Sequence, residues 1–311
     1  MNVTVNESKI SSDVARLIER TLTPNDQVRT LAYQTFQQLG LPANKAEEYK
    51  DTPIARLLEK NFELKSPTRE GSIDPSPFLV PDLQANVIAF VNGFFSKEQS
   101  RIDEATGVSI ISLKQAVEEN HPLVLKHLYA YADFKTDGLV AWNTAGWTEG
   151  IFIHLHKNHS IDKPLIIHHI QDANNGEVVT VTRNLIVSDP GSKFTIIEKF
   201  DSTGDSNHFS NHVTEAVVLE NAELNFYSIQ NDTGNRYQYN LTQFHQSNYS
   251  RVNSFSFSLS HDEASIAAKI TSKLCESDKD FVNCWISSRI KSNRSGPDFV
   301  LMVTFNASIN V

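Results

Sequence analysis

The chain has 311 residues, of which 40% are apolar and 21% charged, and a formal net charge of -9. That length suits one large or two modest domains, and the apolar share sustains a core, which excludes a disordered chain. The negative balance, with no Lys/Arg run, excludes a nucleic-acid partner, and no apolar run reaches the ~18 residues of a membrane span.

Only two cysteines occur, Cys275 and Cys284. They cannot form a disulfide framework, and a reducing compartment is the simpler reading. The first ten residues are polar, with no apolar stretch of the secretory kind. The expected location is the cytoplasm.

The first third reads as helical. Ser11 or Ser12 caps a helix whose Val14, Leu17, Ile18 and Leu22 fall on one stripe. A second helix is expected from Thr23 as N-cap, with Pro24 at N1, Asp26 at N3, and Val28, Leu31, Ala32, Phe36 and Leu39 on its apolar side. Gly40 supplies a left-handed stop. A third helix is expected over residues 43–60, restarted or kinked at Pro53. Residues 63–81 hold Pro67, Pro75, Pro77, Pro81 and Gly71, and read as a linker or extended surface segment. A short strand follows over 87–95, ending near Asn92-Gly93. Ser112 opens another helical stretch, and Pro122 restarts it.

From about residue 139 the apolar period changes from 3.6 to 2. Strands are expected at 150–157, 164–171, 177–188, 193–200, 212–219, 223–230, 236–245 and 252–260. Asn174-Asn175-Gly176 and Asp189-Pro190-Gly191 are among the turns that separate them. Many short strands at near-regular spacing indicate an all-β architecture. Periodicity alone leaves sandwich, cupin-like barrel and β-helix open. An aromatic belt that includes Phe226, Tyr227, Phe244, Phe255 and Phe257 reads as core and cross-strand packing.

Five histidines crowd into 16 residues: His154, His156, His159, His168 and His169. His154 and His156 share a strand face. An H-x-H pair with a distant histidine is how cupin-type barrels hold iron or manganese. A cupin-like metal-binding protein using His154, His156 and His168 is therefore one reading, with Glu177 and His212 as further ligands if the fold brings them close. The plainer reading makes these residues a half-wetted β face. Cys275 and Cys284 lack the close second pair that zinc or iron–sulfur sites use. No G-x-x-x-x-G-K-[ST] or G-x-S-x-G motif is present. Asp201, Asp205 and Asp262 read as turn residues.

Five stretches carry a resemblance. "EEYKDTPIARL" (47–57) resembles the E-x-W-K-[YF]-T-x-L segment of the SufB/SufD family, with Tyr49 in the aromatic place. "VNGFFS" (91–96), "RNLIVSDPGSKFTIIEKF" (183–200), "VVLENAELNFYSIQN" (217–231) and "SRVNSFSFSL" (250–259) are similar to successive strand-and-turn units of that family, in the same order. The lack of a cluster-type cysteine set favours the SufD branch over SufB. The resemblance implies a mainly β fold: a right-handed parallel β-helix core preceded by an α-helical N-terminal region. The expected division is residues 1–85 helical with a Pro-rich linker, 86–270 β-helix, and 271–311 an atypical tail. It implies a non-catalytic scaffold in SUF iron–sulfur cluster assembly, partnered by a SufB-like paralogue and a SufC-like ATPase. No catalytic, cofactor-binding or metal residue is expected in this chain. Nor is any cofactor held stably, the cluster being handled by the complex. Beyond about Ala264 the family's coil pattern is expected to stop, as in a truncated or divergent chain, with self-association through the open β-helix end.

Overall fold

The computed structural model describes residues 9–23, 26–42, 54–64, 73–74, 76–80, 82–103, 107–231, 236–260, 265–274 and 298–308, with side chains described as far as residue 257. The helical region opens with α1 (Lys9–Glu19), which buries Ile10, Val14 and Ile18. In α2 (Gln27–Leu39) the cap is Asp26, whose carboxylate accepts the Arg29 N–H, rather than Thr23. Pro24 lies outside the described residues. Gly40 ends this helix at φ 64° as expected. The buried side of α2 is also not the expected one. Ala32 and Phe36 face the core, but Val28, Leu31 and Leu39 are exposed. Arg29 takes an inner position, donating to Ala145 O (2.9 Å) and Trp147 O (3.0 Å) and lying over the Trp147 ring. Two backbone carbonyls and an aromatic face thus repay the burial of one guanidinium. The third helix is described only as α3 (Ile54–Asn61), so its expected start and the Pro53 restart fall outside. A 3-10 turn at Ser76–Phe78 interrupts the Pro-rich stretch.

The expected strand at 87–95 is the first half of a hairpin. β1 (Asn86–Val91) turns at Asn92-Gly93 into β2 (Phe94–Arg101), which pairs with it antiparallel. Next come β3 (Val108–Ser112), α4 (Leu113–Glu118) capped by Ser112, α5 (Pro122–His127) and α6 (Gly138–Gly146). All nine residues of α6 are buried.

Eight strands then match the eight expected: β4 (Ile151–Leu155), β5 (Leu165–Asp172), β6 (Val178–Ser188), β7 (Lys193–Thr203), β8 (His208–Val218), β9 (Glu223–Asn231), β10 (Arg236–Gln246) and β11 (Arg251–Ser260). They alternate between two sheets. One sheet runs β13-β11-β9-β7-β5-β1-β2 and the other β12-β10-β8-β6-β4-β3, where β12 is Ser265–Leu274 and β13 is Asp298–Ser308. From β4 to β12 each strand pairs in parallel with the strand two places on, one rung of about 30 residues away, which defines a parallel β-solenoid. The fold is mainly β with a helical region before it, as the resemblance implied. The antiparallel strands β2 and β3 cover the first edge of each sheet, which blunts edge-to-edge pairing.

The coil pattern does not stop at Ala264. β12 continues the second sheet on β10, in register from Tyr237↔Ser265 to Gln246↔Leu274. β13 closes the first sheet by pairing antiparallel with β11. Cys275 and Cys284 lie outside the described residues.

Two cores result. Ile88, Ile153, Ile167, Ile196, Leu224 and Phe226 pack inside the solenoid. The second core lies between the helices and the outer face of the second sheet, and joins Val14, Ile18, Phe36, Leu58 and Trp142 to Val181, Phe209 and Leu241. A polar joint pins this second layer. Glu215, fully buried, accepts from the backbone N–H groups of Tyr129 (3.0 Å), Tyr131 (2.8 Å) and Ala132 (3.0 Å) and from Arg183 Nη2 (2.7 Å). Arg183 reaches on to Asn143 Oδ1 (3.0 Å) and Thr144 Oγ1 (3.2 Å) in α6, and packs over the Tyr129 ring.

Close approach also matters at Gly150, between α6 and β4. A Cβ there would lie 1.6 Å from the Arg183 carbonyl oxygen, a rigid backbone atom. Gly150→Ala is expected to destabilise the protein by about 3 kcal/mol, the upper end of overpacking costs. Urea midpoints of the two proteins check this, and an unchanged midpoint would contradict it.

Candidate functional site

Strand alternation sends every second residue into the solenoid, and parallel pairing stacks those residues in rows. In the first sheet one row runs Ile88, Ile167, Glu198, Ser228, Ser256, and the next runs Phe90, His169, Phe200, Gln230. Facing rows in the second sheet run Thr182, His212, Asn240 and Asn184, Thr214, Thr242. Along the first row the side chains change from apolar to polar, and the second row ends on the polar Gln230. The interior is therefore apolar in one part and hydrogen-bonding in the other.

Glu198, His212, Thr214 and Asn184 form the centre of the polar part, each with no solvent exposure. Glu198 Oε1 accepts from Thr214 Oγ1 (2.5 Å), Asn184 Nδ2 (3.1 Å) and His212 Nε2 (3.1 Å). A carboxylate only accepts, so His212 carries its proton on Nε2 toward Glu198, and Nδ1 lies 2.7 Å from the Thr182 hydroxyl. Burial pushes the Glu198 carboxyl up, but the charge and hydrogen bond of His212, with those of Thr214 and Asn184, outweigh it and hold the group below its ordinary value. His169 stacks between Phe90 (5.2 Å, 14°) and Phe200 (4.9 Å, 10°), with its edge toward His212 (4.6 Å). Burial first, then His212 and His168, holds its imidazole well below the ordinary value and therefore neutral.

Several inward atoms find no partner among the described residues: Glu198 Oε2, Gln171 Oε1, Ser228 Oγ, Gln230 Nε2, Gln238 Nε2 and Asn240 Oδ1. An unmet buried polar atom costs about 1–3 kcal/mol, and native interiors meet such groups with ordered water. The arrangement can hold protons and small hydrogen-bonding species away from bulk solvent.

The histidines singled out by sequence do not assemble as a cupin set. His154 lies on β4 against Asp189 (2.9 Å), and His156 follows it against Ser109 (2.9 Å). His168 lies on β5 in the other sheet, paired with Asp201 (2.6 Å), which Lys199 also contacts. Glu177 receives the Glu63 N–H, while His212 is inside the solenoid. The parallel solenoid is itself incompatible with a cupin barrel. Asp201, read as a turn residue, is instead a buried strand residue. Burial raises its carboxyl, but the His168 hydrogen bond and Lys199 outweigh that and hold it below its ordinary value. Among the described residues no group of three or more His, Cys, Asp or Glu side chains is arranged to hold a metal ion, and no helix is long and apolar enough to cross a membrane.

Glu198, Thr214 and Asn184 were not legible as site residues. One signal could have found them. Thr182/His212 and Asn184/Thr214 are register partners one rung apart, so an offset of the chain against itself by about 30 residues lines up the polar positions.

The described residues thus form a parallel β-solenoid with a docked helical layer and a polar interior. The chain matches the SufBD protein N-terminal region over residues 10–167 and the SUF system FeS cluster assembly, SufBD core domain over residues 169–281. It belongs to the SufB/SufD family of iron–sulfur cluster assembly proteins. The core match extends past the point where the sequence pattern was expected to fail, in agreement with β12.

Similar curated proteins include an iron–sulfur cluster assembly SufBD family protein of Synechocystis sp. (strain ATCC 27184 / PCC 6803 / Kazusa). It is 22% identical over 265 residues, which cover 79% of this chain and 58% of the relative. A second from the same organism is 27% identical over 214 residues, 68% of this chain and 38% of the relative. One from Staphylococcus aureus (strain MRSA252) is 27% identical over 167 residues, 51% of this chain and 35% of the relative. The chain thus spans little more than half the length of the first of these relatives and less of the others.

Proposed function

We propose that this chain acts as a SufD-type, non-catalytic scaffold in iron–sulfur cluster assembly, in the cytoplasm, paired with a SufB-like paralogue and a SufC-like ATPase. The observation that carries this reading is the core-domain match over residues 169–281, which falls on the parallel coils themselves. The SufD assignment is supported by the cysteine content: two in all, neither in a close pair. Nucleotide hydrolysis would belong to the ATPase, since this sequence has no phosphate-binding loop motif. The cluster is handled by the complex and is not held stably by this chain alone.

Co-expression of this chain with the SufB-like and SufC-like proteins of its own organism tests the proposal. Both partners are expected to be retained through affinity purification and gel filtration. Retention of neither would overturn the assignment. Retention of the ATPase together with a cluster on this chain in the absence of the paralogue would favour a SufB-type role instead.

A further inference from the structure

The sequence holds two Asn-Gly pairs, Asn92-Gly93 and Asn175-Gly176. Asn-Gly is chemically labile as well as turn-forming. A glycine leaves its own backbone nitrogen unshielded, and that nitrogen can attack the side-chain carbonyl carbon of the preceding asparagine. The fold decides whether the two atoms meet, because an intramolecular attack needs contact distance and alignment. The two pairs lie in opposite environments.

Asn92 turns the β1–β2 hairpin and is buried. Its side chain is held at both ends. Nδ2 donates to Asp172 O (3.2 Å), and Oδ1 accepts the Asp172 N–H (2.8 Å). The Asn92 N–H donates to Ile170 O (3.0 Å). Gly93 is enclosed too, since a Cβ there would lie 3.2 Å from Thr180 Cβ. The Asn92 amide is thus fixed against the end of β5, and its hydrogen bonds must break before it can turn onto its own glycine.

Asn175 sits in the turn between β5 and β6 and is exposed. Among the described residues neither its side-chain amide nor the Gly176 N–H makes a hydrogen bond. Gly176 takes a φ of 133°, and nothing lies within 4 Å of a Cβ added to it. The neighbouring Asn174 is committed elsewhere. Its N–H and Nδ2 both donate to Asp172 Oδ1, at 3.1 and 2.7 Å. The turn is therefore pinned at Asn174 and open at Asn175.

We propose that Asn175 is a site of spontaneous deamidation and that the fold protects Asn92 from the same reaction. Gly176 N attacks Asn175 Cγ. The N–Cγ bond forms, the Cγ–Nδ2 bond breaks, and the side-chain nitrogen leaves as ammonia with the proton of the Gly176 amide. Water then opens the resulting succinimide at one of its two carbonyls. One opening leaves aspartate at position 175. The other leaves isoaspartate, with the main chain running through the former side chain. Either product adds one negative charge to the -9 of the unmodified chain, beside Asp172 and Glu177. The open space around Gly176 accommodates the longer backbone of isoaspartate without disturbing β5 or β6. None of this depends on the scaffold assignment.

The test keeps the full chain at mildly alkaline pH and follows its peptides by mass spectrometry, with electron-transfer fragmentation to separate aspartate from isoaspartate. The peptide with Asn175 should gain roughly one mass unit at least about tenfold faster than the peptide with Asn92, which must first give up two amide hydrogen bonds. An isoaspartyl methyltransferase should label the same peptide. In guanidinium chloride, with the fold gone, the two sites should convert at similar rates. Asn175→Gln, whose attack would need a larger ring, should remove the change and leave the urea midpoint as in the parent. Failure of Asn175 to convert in the folded chain, over a time in which it converts in guanidinium chloride, would overturn the proposal. So would equal conversion of Asn92 and Asn175 in the folded chain.

Discussion

Glu215→Ala is expected to lower the free energy of unfolding by about 3–5 kcal/mol, the cost of leaving a buried charge without its partner. The reason is the number of donors that converge on one carboxylate. Arg183 would keep a guanidinium in a site with no solvent access, and three backbone N–H groups at Tyr129, Tyr131 and Ala132 would lose their acceptor. Those N–H groups belong to the segment that leads into α6, so the damage should fall on the docking of the helical layer. Hydrogen exchange should show amides of 128–146 opening before those of β7 and β9, which lie on the far side of the solenoid. Denaturant unfolding gives the magnitude. A loss under about 1 kcal/mol would mean that water or a shifted side chain replaces the carboxylate.

A second variant separates the ion pair from the backbone capture. Arg183→Met/Glu215→Gln removes both charges, and the Gln amide oxygen can still accept backbone N–H groups. It should recover much of the loss, since replacing a buried pair by neutral groups is often close to neutral. Arg183→Met/Glu215→Leu removes the acceptor as well and should recover less. Equal recovery in the two would show that the three N–H bonds contribute little to holding the helices on the sheet.

How far the sequence discloses this molecule depends on which physical signal each part carries. The strands β4 to β11 are legible because turn residues such as Asp189-Pro190-Gly191 punctuate them and their apolar residues alternate. Their stacking into a solenoid is not, because no strict short repeat marks the rungs, and only the family resemblance supplied it. α6 is invisible to periodicity because all nine of its residues are buried, so no polar side exists to set a period of 3.6. On α2 the pattern misleads. Arg29 counts as a surface residue by type, yet it is the one that faces Trp147. The interior site fails for the converse reason. Alternation assigns polar residues to solvent, but β6 and β8 are buried on both faces, so His212, Thr214 and Asn184 point inward. A strand covered on both sides cannot reveal by alternation which face is the core.

The same burial predicts a response to acid that a surface-histidine reading would not. Burial holds the imidazoles of His169 and, with help from Arg236, His208 well below the ordinary value of 6.5. In the unfolded chain both bind protons near that value, so below it the unfolded state holds more protons than the native one. Stability is then full above pH 6.5 and falls as the pH drops, by up to about 1.4 kcal/mol per pH unit for each histidine, or roughly 2.7 for the pair. His127, lowered to about 4 chiefly by burial, adds in the same direction down to that pH. Glu198 and Asp201 act in a separate, lower window. Their native carboxyls are held below 4.5 and 3.8, so their stabilisation is present above those values and is lost as pH falls through the native ones. His169→Phe isolates one term. The ring would continue the Phe90–Phe200 stack, and His169 Nε2 has no partner among the described residues to lose. Between pH 6.5 and 5, its plot of unfolding free energy against pH should be shallower than the parent's, by a difference that grows from about 0.7 to about 1.4 kcal/mol per unit. An unchanged slope would mean that His169 takes up a proton in the native state, and that the polar interior around Glu198 is wet enough to stabilise an imidazolium.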